Sequence, residues 1–129
     1  MRKFLIGVLA IAFCSAGAVA AEQSGFVRVP LQTQDVCSAG TMAVQVRGEF
    51  DPGFGTGRHT HPGEELTYIL EGEIEVRVDG EPPRIVKAGE TFFLPAGVVH
   101  EGVNTSNGRV KVLATYIVEK GQPLAKPVK

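Results

Sequence analysis

Apolar and polar residues alternate in short runs along this chain, and no run keeps a helical period. From Thr41 to Phe50, Met42, Val44 and Val46 fall on one face and Gln45 and Arg47 on the other, which is the period of a half-buried strand. Glu73 to Val78 alternates charged with apolar residues, and Asp79-Gly80 follows it as a hairpin signal. Glu65 to Leu70, Arg84 to Val86, Thr91 to Leu94 and Val110 to Val118 read as further strands. Turns at Glu71-Gly72, Lys87-Ala-Gly89 and Pro95-Ala-Gly97 separate several of them. Pro30 makes the segment around Val27 to Leu31 an edge strand or an arm. Short strands with turn signals every 8–12 residues or so predict an all-β barrel or jelly roll.

The two ends break this pattern. Met1-Arg-Lys3 is basic, Phe4 to Phe13 is apolar apart from Gly7, and Ala18-Val-Ala20 is a small-x-small site. That tripartite order predicts a secretory leader over residues 1–20 and a periplasmic or secreted destination. An arm is then expected over 21–40, the barrel over 41–119 and a tail over 120–129, an extended strap or disordered. Loss of Arg2 and Lys3 with the leader leaves 11 basic against 14 acidic residues. With no basic stripe, no tryptophan and 7% aromatics, the chain is not expected to bind nucleic acid. After cleavage no run is long enough to hold it in a membrane. Of the two cysteines, Cys14 leaves with the leader, and Cys37 is expected as a small buried residue near a strand start. The face carrying Glu71, Glu73, Glu75, Arg77 and Asp79 reads as the solvated side of an antiparallel strand.

All three histidines fall in one small region of pattern. His59 and His61 lie two apart, so they project to the same side of a strand, and Glu65 shares their parity. Its neighbour Glu64 has the wrong parity. His100 follows the Pro95-Ala-Gly97 turn on a separate strand. Three imidazoles and one carboxylate suit one divalent ion per chain, with iron or manganese favoured and nickel, zinc or copper next. Arg58 has the parity of the outer face and reads as a salt-bridged surface arginine before a carboxylate clamp. Apolar wall candidates are Phe50, Phe54, Tyr68, Phe92, Phe93, Leu94, Val98, Leu113 and Ile117, with strand parity assigning only some of them inward. Tyr68 and Glu101 are the nearest additional acid–base candidates, and both are more often structural.

These residues resemble the two motifs of the cupin superfamily. The first runs glycine, five residues, His-x-His, three residues, glutamate, six residues, glycine, and Gly53, His59, His61, Glu65 and Gly72 fill it. The second runs glycine, five residues, Pro-x-Gly, two residues, histidine, three residues, asparagine, and Gly89, Pro95, Gly97, His100 and Asn104 fill it. The resemblance implies a single-domain cupin-type β-barrel, a double-stranded β-helix or jelly roll, with a metal on His59, His61, Glu65 and His100. It implies homodimers as well, and the arm around Val27 to Leu31 is placed to pair with a partner's sheet. Asn104 and the motif glycines read as structural. The fold hosts many functions, so three remain open. The first is a dioxygenase acting on a small enolic or phenolic substrate, as the resemblance to quercetin-type enzymes implies, with Glu65 also serving as catalytic base. The second is a non-redox isomerase, lyase or decarboxylase. The third is a periplasmic protein that binds a metal or small ligand without turnover.

Overall fold

The computed structural model describes residues 25–129. The expected leader lies outside them. Ten strands form two five-stranded antiparallel sheets, with no helix among the described residues. The first sheet runs in the order β1 (Phe26–Asp35), β2 (Thr41–Phe50), β9 (Val110–Glu119), β4 (Gly63–Glu71), β7 (Thr91–Leu94). The second runs β10 (Lys126–Pro127), β3 (His59–Thr60), β8 (His100–Val103), β5 (Glu73–Val78), β6 (Arg84–Lys87). This is the jelly-roll architecture of a double-stranded β-helix.

Period-two patterning decides which side of each strand faces in. β9 buries Val110, Val112, Ala114, Tyr116 and Val118 in strict alternation, and β4 buries Gly63, Glu65, Thr67 and Ile69. The core lies in two clusters. One gathers Phe26, Phe50, Ile69, Ile74, Val76 and their neighbours, and the other Val46, Ala114, Tyr116 and Val118. Full burial of a side chain such as Ile69 or Val118 contributes roughly 1.5–3 kcal/mol, so the clusters hold the two sheets together. Gly63 lets β4 approach β9, because a Cβ there would run into the Ile117 carbonyl. Gly72 turns the chain between β4 and β5 at φ +77°, which side-chain-bearing residues rarely adopt.

Several expectations are corrected here. Phe54, Tyr68 and Phe93 are exposed, not part of the wall. Register explains two of them: Phe93 pairs with Leu66 and Tyr68 with Thr91 and Leu113, all in the outward row of the first sheet. Leu113 and Ile117 belong to that row too. Cys37 is exposed, because β1 ends at Asp35 and the cysteine falls in the connection to β2. Phe50 and Leu94 are buried as expected. The segment read as an arm supplies β1, which pairs with β2 of its own chain and buries Phe26. On β5, Arg77 pairs with Glu75 and with Glu101 of β8, as a solvated outer face would. The tail is an ordered strap: Lys126 and Pro127 pair with Thr60 and His59, and Leu124 packs on the second cluster.

Candidate metal centre

The site forms where the two sheets face each other. β3 carries His59, and His61 follows it in the turn before β4. β4 carries Glu65 and β8 carries His100, which pairs directly with His59. All four side chains are buried. Glu64, one residue away, is exposed on the other face of β4.

The four donors are linked by a run of close contacts. His59 Nε2 and His61 Nε2 are 3.1 Å apart, and Glu65 Oε2 lies 3.1 Å from His61 Nε2 and 3.3 Å from His100 Nε2. The ligand atoms of the three histidines all lie within 4.8 Å of one another, so they can hold a metal ion. Donors about 2.1 Å from a first-row divalent ion stand roughly 3.0–3.4 Å apart at tetrahedral or octahedral angles. The three separations of 3.1–3.3 Å match those edges, so the residues fit the ion.

The other ring nitrogens explain why the donors point inward. His59 Nδ1 donates to the Gly57 carbonyl at 2.8 Å, His61 Nδ1 to Leu124 at 2.5 Å and His100 Nδ1 to Val98 at 2.9 Å. A carbonyl only accepts, so each neutral ring carries its proton on Nδ1 and turns a lone pair on Nε2 toward the centre. Thr67 donates to Glu65 Oε1 at 2.7 Å, which leaves Oε2 for the centre. Two of the histidine carbonyls are local. The third comes from the tail strap, 63 residues on.

Titration follows from this packing. Burial pushes His59 down to about 4, with the neighbouring imidazoles adding to the effect. Burial alone would raise Glu65, but hydrogen bonds from His100 and His61 in their protonated form, and from Thr67, outweigh it and hold the carboxyl at about 2. His100 is raised: burial lowers it, yet its bonds to Glu65 and to the Val98 carbonyl win. At neutral pH the carboxylate is therefore ionised and His59 is neutral.

A cavity of about 40 Å³ opens beside the donors, with space for more than one water molecule. Its wall is largely apolar and includes Phe50, Val76, Phe92 and Val112. Tyr116 also faces it. Its ring packs 4.5 Å from that of His61, and its hydroxyl has no hydrogen-bond partner among the described residues. Burial, reinforced by the Glu65 charge, holds that hydroxyl well above the usual phenol range, so it stays a donor. Tyr116 was missed in the sequence, where Tyr68 stood as the candidate; the even spacing from Val110 to Val118 was the signal that places it inside. Glu101 lines the cavity too, but its carboxylate is held by Arg77 at 3.0 Å. Arg58 lies outside, paired with Asp79 at 2.5 Å as expected of a surface arginine. Asn104 is structural as expected. Fully buried, it donates to Phe50 and Gly108 carbonyls and accepts from Ser106.

Comparison with known proteins gives a family and a range of activities. Residues 40–116 match the cupin domain family model. The chain is 35% identical over 68 residues to the HTH-type transcriptional regulator PuuR of Escherichia coli, covering 52% of this chain and 36% of that protein. It is 45% identical over 42 residues to the dimethylsulfoniopropionate lyase DddQ of Ruegeria pomeroyi, covering 33% and 21%. It is 38% identical over 65 residues to acireductone dioxygenase 4 of Oryza sativa subsp. japonica, covering 47% and 35%. The matches thus span about a third or less of these relatives. The crystal structure of the same DddQ superposes with a TM-score of 0.68 at 21% identity, covering 88% of this chain and 57% of that one, a likeness of fold.

Proposed function

The chain belongs to the cupin domain family, and from that premise we propose a metal-dependent enzyme of dioxygenase type acting on a small organic substrate. His59, His61, Glu65 and His100 hold one divalent ion in this reading, with iron or manganese favoured. The observation that carries it is the grouping of three histidine donors within 4.8 Å, with Glu65 3.1–3.3 Å from two of them, beside an apolar cavity with an unused hydrogen-bond donor, Tyr116. A site built only to store a metal has no need of that space. The match to an acireductone dioxygenase over 65 residues supports the reaction class.

The ion supplies Lewis acidity and access to the electron chemistry of dioxygen. The chain's own residues supply the rest. Tyr116 donates a hydrogen bond to an enolic or phenolic oxygen of the substrate. Glu65 is the carboxylate we assign to accept the substrate's hydroxyl proton, and its low basicity limits it to a brief hold. The apolar wall keeps bulk water away from the reacting carbons. Both atoms of dioxygen enter the substrate, so the electrons come from substrate bonds and no external reductant is consumed.

Metal analysis with oxygen-electrode measurements on protein from its native compartment tests this. Iron or manganese at one per chain, with substrate-dependent oxygen uptake, is expected. Zinc or nickel with turnover but no uptake would move the reading to a lyase or isomerase, which the DddQ match favours as the second choice. Tight metal without turnover on any small acid, enol or phenol would contradict an enzyme.

Two further readings accompany it. Export to the periplasm or beyond rests on the leader pattern of residues 1–20, and N-terminal sequencing of the natively located protein should begin at Ala21 or Glu22. A homodimer is supported by the open outer edge of β1 and the exposed Leu66, Tyr68 and Phe93 of the first sheet. Light scattering at high micromolar concentration should give twice the chain mass.

A further inference from the structure

Arg28 has no counterpart in the site as built so far. It lies on β1 opposite Gly48 of β2, two residues from buried Phe26 and on the same face. Its guanidinium carbon stands 5.1 Å above the Phe26 ring, and its side chain lines the cavity that also holds His59, Glu65, His100 and Tyr116. Gly48 contributes no side chain at this level, which keeps the space in front of Arg28 open.

Among the described residues the guanidinium has no carboxylate partner. Arg47, Arg58, Arg77 and Arg109 are each ion-paired to a carboxylate. Arg28 has neither an ion pair nor a side-chain hydrogen bond among the described residues, and it is the only arginine lining this cavity. The one other carboxylate on the wall, Glu101, is paired with Arg77, which it shares with Glu75. With a divalent ion on three neutral imidazoles and Glu65, the cavity wall is still net positive. A neutral ligand would leave that charge uncompensated, whereas a carboxylate matches the fork of a guanidinium.

We propose that Arg28 anchors the carboxylate of the substrate, which makes the substrate class a small organic acid with a second oxygen donor that reaches the His59–His61–Glu65–His100 centre. The proposal rests on the metal reading above. The cavity is small, so only a short acid fits between Arg28 and the centre without opening the mouth. Tyr116 then meets the second oxygen while Arg28 sets the orientation. Arg28 acts on selectivity and placement, and Tyr116 and the centre face the reacting atoms.

Glycolate and glycolamide are probes of nearly equal size that differ in charge. Their affinities are measured by calorimetry on wild type, Arg28→Met and Arg28→Lys, each loaded with cobalt(II) and each also metal-free, with metal content read by elemental analysis. Methionine keeps the apolar stem over Phe26, and the site at the mouth is exposed, so the variant is expected to fold. Arg28→Met should lower glycolate affinity by roughly 10-fold or more, as loss of a hydrogen bond to a charged group does. Glycolamide affinity should stay within about twofold, metal content should stay at one per chain, and Arg28→Lys should recover part of the glycolate binding. Equal glycolate affinity in wild type and Arg28→Met, or no glycolate binding at all, would overturn the anchor. A wild type that takes up no cobalt would instead overturn the metal reading, and the metal-free titrations then decide on Arg28 alone.

Discussion

The two faces of β4 carry the same backbone and opposite chemistry. Inward, Glu65, Thr67 and Ile69 are all buried, and the first two are joined by a hydrogen bond at 2.7 Å. Outward, Glu64, Leu66, Tyr68 and Leu70 alternate with them and all are exposed. The outward row is the more apolar of the two, yet it holds no chemistry. The inward row buries a carboxylate, which is costly unless the charge is met. Here Thr67, His61 and His100 meet it. The contrast teaches that in this fold a buried polar residue marks the site better than an apolar one marks the core.

The comparison breaks most sharply at the ligands themselves. His61→Ala removes one donor and leaves both apolar clusters intact. Metal affinity should drop by more than the roughly 10–100-fold typical of losing an outer partner, while circular dichroism still reports a folded barrel. Competition with a chromogenic chelator measures the first quantity.

Acid is the next largest effect. Binding needs neutral imidazoles, so protons compete with the metal. Glu65, held to about 2, and His59, held to about 4, lose no binding until strong acid. His100 is raised, so it takes up a proton first as pH falls through the histidine range. Affinity should fall about tenfold per pH unit below that point, and level off above it. The metal-free protein should show the opposite sign for the same residue. A raised His100 contributes stability that is complete below 6.5 and lost as pH rises through its folded value. The depressed Glu65 contributes above 4.5 and is lost as pH falls toward 2. His59, lowered to about 4, works the other way: its contribution is complete above 6.5 and is lost as pH falls toward 4, so the metal-free protein carries opposed terms in the range where the metal is being released. Melting curves with and without metal across this range check both signs.

Thr67→Val is smaller and sharper. It keeps shape and burial but leaves Glu65 Oε1 without its donor. Metal affinity should fall by roughly tenfold, by the measure of lost outer-shell partners.

Most of the site was legible from residue spacing. The i, i+2 relation of His59 and His61, the parity of Glu65 and the turn before His100 all depend on local geometry, and β-strands transmit local geometry faithfully. Asn104 and the glycine turns followed for the same reason. What escaped depends on partners far along the chain. The Leu124 carbonyl that orients His61 comes from a tail with no periodic signal. Arg28 enters the cavity only because β1 pairs with β2 in a register that sets it opposite Gly48. Tyr116 was readable in principle, since its strand alternates without fault, but it lies outside both motifs while Tyr68 lies inside the first. The exposed Phe54, Tyr68 and Phe93 show the converse error, because hydrophobic type alone does not decide which face a strand residue takes.

In this reading the inward face of β4 serves a metal centre and the outward face does not. The most direct test is the metal content of Glu65→Gln against Glu64→Gln, each purified in the presence of the same divalent ion and measured by elemental analysis. Glu64 is exposed and Glu65 buried among the histidines, so Glu64→Gln should keep one ion per chain and Glu65→Gln should lose most of it. Loss of the ion from Glu64→Gln with retention in Glu65→Gln would contradict the account.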